Sequence, residues 1–138
     1  MPFNQSSKDT IIAVFGQSFN TQNLQDGNFY PIQGGDNNGG AVEINQVYAV
    51  VNGGLLRKIA VTIINNTLSV DGSWIFRIAG VSEEIITIPA GIDGTFEKIT
   101  NRLVPDKSQL AWQFLDNGGV GGAQLVSASL IVEFDVLD

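Results

Sequence analysis

The residues of this sequence best suited to chemistry are two pairs of carboxylates. Glu83 and Glu84 are adjacent, and Glu133 and Asp135 stand two apart. Paired carboxylates do acid–base work in glycosidases. Adjacent residues of an extended chain point to opposite faces, so Glu83 and Glu84 are expected not to converge. Glu133 and Asp135 share a face, but the chain has no histidine and no cysteine to work beside them. A solvated strand face or an interface is therefore the expected role of that pair, and no catalytic residue is assigned. Asp36-Asn37-Asn38 supplies hard oxygen ligands but lacks the spacing of a calcium loop. Gly118-Gly119-Val120-Gly121-Gly122 lacks the Lys-Ser/Thr of a phosphate loop and precedes a strand rather than a helix. Trp74 and Trp112 have the flat rings that stack on sugars, yet each alternates with Phe76 or Phe114 in an apolar run, which points to core packing.

These residues sit on segments whose period is two. Val126, Ala128, Leu130, Val132, Phe134 and Val136 alternate with Ser127, Ser129, Ile131, Glu133 and Asp135, which predicts a long strand with its even positions in a core. Trp74, Phe76 and Ile78 alternate with Ile75 and Arg77, and Leu110, Trp112 and Phe114 with Ala111 and Gln113. Ile59, Val61 and Ile63 form one face of a strand whose other face, Ala60, Thr62 and Ile64, is also fairly apolar. Ile85 to Ile88 is a β-branched run ended by Pro89. Ala41 to Val51 changes phase near Asn45 or Gln46, which predicts one strand carrying a bulge. Thr10 to Phe15 and Asn28 to Ile32 read as further strands. Turn signals separate the runs, among them Asn52-Gly53-Gly54, Asp71-Gly72, Asp93-Gly94 and Asp116-Asn117-Gly118-Gly119. One all-β domain over residues 1–138, with about eight to ten antiparallel strands in a double-sheet sandwich, is expected.

Composition narrows the functions open to such a domain. The 138 residues are 43% hydrophobic and only 15% charged, with a formal net charge of −7. Seven basic residues against fourteen acidic ones, with no basic run, disfavour nucleic acid and anionic membranes. Without histidine, Ser-His-Asp and Cys-His mechanisms are closed, and no cofactor or metal is expected. The first ten residues lack the layout of a signal peptide, so synthesis and folding in a cytoplasm are expected. Asn65-Asn66-Thr67 matches a glycosylation acceptor without the secretory context it needs.

The block from Gly72 to Val136 resembles the small jelly-roll structural proteins of tailed phages, which share the fold of the C1q and tumour-necrosis-factor superfamily. The resemblance rests on Trp74-Ile75-Phe76-Arg77-Ile78, on Ile86-Thr87-Ile88 running into Pro89-Ala90-Gly91, and on Gly94-Thr95-Phe96. Val104-Pro105-Asp106-Lys107-Ser108-Gln109-Leu110 and the long alternating strand from Leu125 to Leu137 complete it. It covers the last half of the chain well and the remainder by strand count. It implies a jelly roll, a homotrimer and a place on the virion surface, as a capsid decoration or cement subunit in contact with the major capsid protein or another virion protein. By that likeness Ser127, Ser129 and Ile131 face neighbouring subunits. The alternative is the head of a tail fibre or spike, with a host receptor or glycan held in loops Gly34–Gly40 and Asp116–Gly122. The few residues before the first strand favour the decoration subunit. A bacterial or host lectin-like module is a third reading. Phe3, Phe15 and Phe19, spread through a polar N-terminal stretch, are the expected anchors of that segment on a neighbour, with residues 1–9 as an N-terminal arm.

Overall fold

The computed structural model describes residues 9–33, 39–43, 46–49 and 53–136. Among these residues are nine strands: β1 (Asp9–Asn23), β2 (Phe29–Tyr30), β3 (Tyr48–Ala49), β4 (Gly54–Ile64), β5 (Gly72–Ile78), β6 (Val81–Ile88), β7 (Gly94–Val104), β8 (Gln109–Leu115) and β9 (Gln124–Val136). One sheet has the order β1-β9-β4-β7, the other β2-β8-β5-β6 with β3 also paired to β8. All pairings are antiparallel. Because β2 and β3 both lie along β8, they act as one interrupted strand. Eight strands then run 1-8-3-6 in one sheet and 2-7-4-5 in the other, the order of a jelly roll.

Alternation drives this fold. Ile59, Val61 and Ile63 of β4, and Ala128, Leu130 and Val132 of β9, are buried against Trp74, Phe76, Leu110, Trp112 and Phe114 of the second sheet. An aromatic chain crosses the core: Phe19 meets Tyr30 edge-on at 6.0 Å, Tyr30 meets Trp74 at 5.6 Å, and Trp74 stacks on Trp112 at 5.4 Å. Both tryptophans are fully buried, which leaves neither a face for a sugar ring.

The fold departs from the sequence reading in several elements. Phe19 is fully buried beneath Tyr30 and belongs to the core, not to an intersubunit arm. β1 runs on to Asn23, well past Phe15, and that extension carries Phe19 inward. Val126 is not a core residue. The β9–β4 register shifts between Thr62 and Ile63, so Leu125 takes the buried position and Val126 is left half-buried. The bulged strand expected over Ala41–Val51 is reduced, among the described residues, to Tyr48–Ala49. The turn ahead of it is held instead by Glu43, whose carboxylate takes Arg77 Nε at 2.6 Å and Nη2 at 3.2 Å. Finally, β7 was not legible as a strand. Its inward positions carry Lys98 and Arg102, whose charges reach across to β6 rather than into the core.

Loops at one end of the sandwich are stitched together by polar side chains. Asn66 donates through Nδ2 to the carbonyls of Pro89 (2.8 Å) and Ile92 (2.9 Å), and its Oδ1 accepts the Leu68 N–H (3.0 Å). Asp93, Asp71 and Asp26 accept the backbone N–H groups of Asn66, Ala90 and Asp116. The glycine-rich segment Gly118–Gly122 is packed here too. Thr67 N–H donates to the Gly122 carbonyl and Ser69 N–H to that of Val120, and a Cβ on Gly121 would run into the Thr67 backbone.

Candidate interaction face

The four-stranded sheet turns one face to the core and the other outward. Its ladders arrange the outward residues in rows across the strands. Ser18, Ser127, Thr62 and Thr95 form one row, and Gly16, Ser129, Ala60 and Glu97 the next. Val14, Ile131, Lys58 and Ile99 follow, then Ile12, Glu133, Leu55 and Leu103. Half of the face is thus small and polar, and the other half apolar. Four of its apolar side chains stand in solvent, Ile12 and Val14 at 64% exposure, Leu103 at 69% and Ile99 at 77%. A β-branched or leucine side chain left this open forgoes the burial that alternation secures elsewhere; these four line the two edge strands, β1 and β7, on either side of the half-buried Ile131 and Leu55.

Charge on this face cancels locally. Arg57, the bulged residue between Leu56 and Lys58, reaches Glu133 (3.3 Å) and Asn101 (2.8 Å). Lys58 pairs with Glu97, and Thr62 with Thr95 through their hydroxyls (2.8 Å). Arg57 and Lys58 are thus each answered by a carboxylate, Glu133 and Glu97. Exposed pairs of this kind add little stability, but they let an apolar partner approach without stranding a charge.

Ser127, Ser129 and Ile131 lie together, half-buried, along the middle of this face. Phe15 points to the opposite side of the sheet, where its ring meets Phe134 edge-on at 6.4 Å. Phe3 lies outside the described residues, as do residues 34–38 with the Asp36-Asn37-Asn38 segment. Of the carboxylates, Glu133 is engaged by Arg57. Glu83 and Glu84 do converge, contrary to the alternation argument. The β5–β6 register slips between Phe76 and Arg77, which turns Glu83 to the side of Glu84. Both then hold Arg102, Glu84 Oε2 on Nε at 2.5 Å and Glu83 Oε2 on Nη1 at 2.7 Å, while Glu84 Oε1 takes Lys98 at 2.9 Å. Burial pushes the Glu84 carboxyl up, and the hydrogen bonds and charges of Arg102 and Lys98 outweigh it, so the group titrates below the ordinary glutamate range. The cluster pins β6, an edge of one sheet, to β7, an edge of the other. Sequence reasoning missed the outer apolar rows because Ile99 and Leu103 belong to the unread β7 and Ile12 and Val14 looked like half of an ordinary strand.

The chain matches no model of a known protein family and no curated protein.

Proposed function

We propose that this protein is a non-enzymatic structural subunit of a virus particle, a decoration or cement protein that forms homotrimers and binds the assembled shell. One observation carries the reading: the outer face of β1-β9-β4-β7 combines exposed aliphatic side chains with cations held in ion pairs, a surface suited to docking rather than to reaction. The virion setting and the number three come from the resemblance to phage jelly-roll proteins. On that reading, three copies bury Ser127, Ser129 and Ile131 around a common axis. The trimer then stabilises the shell by binding its assembled form in preference to its separated parts.

Sedimentation of the pure protein tests self-association, with a multiple of three times the 14.8 kDa chain mass expected. Ser129→Arg places a long cation in the middle of the face and is expected to abolish the trimer while leaving tryptophan fluorescence unchanged. Mass spectrometry of purified particles then separates the roles. A copy number on the scale of the shell's own subunits fits cement, whereas a handful of copies, with retention on a glycan array, assigns the chain to a fibre or spike head. A monomeric wild type that also ignores shells defeats the proposal.

A further inference from the structure

We infer that β1 is a pairing edge, and that its occupant is β1 of a second copy, joined antiparallel about a two-fold axis at Ala13. A sheet edge presents a row of backbone donors and acceptors, and natural proteins blunt such edges with charge, proline, bulges or very short strands. Three sides of this sandwich follow that rule. β2 and β3 are two residues each. β6 and β7 carry Glu83, Glu84, Lys98 and Arg102, tied to one another, and β6 stops at Pro89. From Thr10 to Ser18, β1 has none of these devices. It is 15 residues long, has no proline, carries no charge after Asp9, and stays in continuous register with β9 from Asp9 to Ser18. Among the described residues no strand pairs with its outer side. Ile11, Ile12 and Val14, all exposed, are concentrated on it.

The sequence of the edge is self-complementary. Centred on Ala13, the pairing sets Ile12 opposite Val14 of the second copy and Ile11 opposite its Phe15, so that apolar neighbours meet on both faces of the sheet. Asp9 falls opposite Gln17, so no like charges meet. Moving the centre to Val14 sets Ile12 against Gly16 and loses this match. An uncharged edge is also where two copies of net charge −7 approach with least repulsion. The product is one continuous eight-stranded sheet, β7-β4-β9-β1-β1-β9-β4-β7, with a closed two-fold contact. This contact is edge to edge and made by backbone, so it is separate from the face-to-face trimer proposed above and does not depend on it.

The chain has no cysteine, which makes disulfide trapping specific. Ala13→Cys puts two thiols directly opposite, where paired strands hold Cα atoms about 4.5–5.5 Å apart, within disulfide reach. Gln17→Cys is the comparison, because the same register separates the two Cys-bearing positions by eight residues, about 27 Å. Under mild oxidation A13C is expected to give a species of twice the 14.8 kDa mass while Q17C stays single. Emission from the buried Trp74 and Trp112 reports that each variant is folded. If A13C does not fold, an equimolar mixture of Ile12→Cys and Val14→Cys replaces it, with the mixed disulfide expected to exceed either self-disulfide. Equal cross-linking at positions 13 and 17, or none at either, overturns the inference. Cross-linking of A13C only to a different protein of a particle overturns it as well and assigns the edge to that protein.

Discussion

Replacing Asn66 by alanine tests how the loop end of the sandwich is held. Asn66 is 7% exposed, and its side chain makes three hydrogen bonds, donating to Pro89 O and Ile92 O and accepting from Leu68 N. The two donated bonds join the β4–β5 loop to the β6–β7 loop, and the third closes a turn within the β4–β5 loop. Truncation removes the Asn66 partner of the Ile92 carbonyl and of the Leu68 N–H, and leaves the Pro89 carbonyl with only the Ile92 N–H at 3.3 Å. At about 1 kcal/mol net for each bond, rising where a group stays buried, Asn66→Ala should cost about 2–4 kcal/mol. For a chain of this size that lowers the melting temperature by about 6–12 °C. Urea denaturation followed by tryptophan fluorescence measures the first figure and calorimetry the second. Asn66→Asp sharpens the test, because it keeps the acceptor for Leu68 N–H but turns a carboxylate toward two carbonyl oxygens, with Asp93 close by. It should be less stable than the alanine variant at neutral pH. It should recover as the pH falls, since the protonated acid can donate to one carbonyl again. A loss below about 1 kcal/mol for Asn66→Ala, with no pH response in Asn66→Asp, would refute the view that this side chain clamps the two loops.

Three further outcomes follow from the same geometry. Glu84 has a depressed folded-state pKa, so the stability it contributes is present above its unfolded pKa and is lost as the pH falls through the folded value. Glu84→Gln should therefore be less stable than wild type at pH 7, with the gap closing below about pH 4 in a series of denaturation midpoints. The β5–β6 turn places Ala79 at φ 51° and Gly80 at φ 79°, both left-handed, as a two-residue hairpin of the primed type requires. Alanine is a poor first residue there, so Ala79→Asn should raise stability by about 0.5–1 kcal/mol in the same assay. Self-association should strengthen with salt, because screening relieves repulsion between chains of net charge −7 while apolar and backbone contacts persist. Dissociation on raising sodium chloride, seen by sedimentation velocity, would show instead that ion pairs hold the copies together.

The sequence was most readable where one face of a strand is wholly apolar. Trp74, Phe76 and Ile78 in β5, Leu110, Trp112 and Phe114 in β8, and Ile59, Val61 and Ile63 in β4 all occupy the buried positions that their alternation predicts. It was least readable where register slips by one residue. Val126 and Leu125 exchange roles at one slip, and Glu83 swings beside Glu84 at another. A bulge moves side chains between faces without changing residue types, so nothing in a period-two count records it. β7 failed for a different reason. Its outward Ile99 and Leu103 and its inward Lys98 and Arg102 invert the usual assignment of apolar to inside and charged to outside. The buried end of Glu84 is what makes that inversion stable, and only the fold brings Glu84 there. The candidate face was half visible. Ser127, Ser129 and Ile131 were identifiable as the second side of β9, but the strands that flank them, and hence the cancelled charges and the aliphatic rows, depend on which strands the jelly roll brings together.

That same topology separates charge from contact. Asp26, Asp71 and Asp93 at the loop end are spent on backbone N–H groups of neighbouring loops, and no described lysine or arginine pairs with them. Their negative charge therefore stays uncompensated at one end of the molecule. The described cations of the first sheet are committed elsewhere, Arg57 and Lys58 to the outer face and Lys98 and Arg102 to the β6–β7 seam. Two copies meeting loop end to loop end bring uncompensated acids together, whereas copies meeting through the outer face or the β1 edge meet paired charges in the one case and the uncharged run Thr10–Ser18 in the other. The arrangement disfavours one set of encounters as strongly as it permits the other. Specificity of that kind arises from where the acids sit and needs no added attraction in the contact itself.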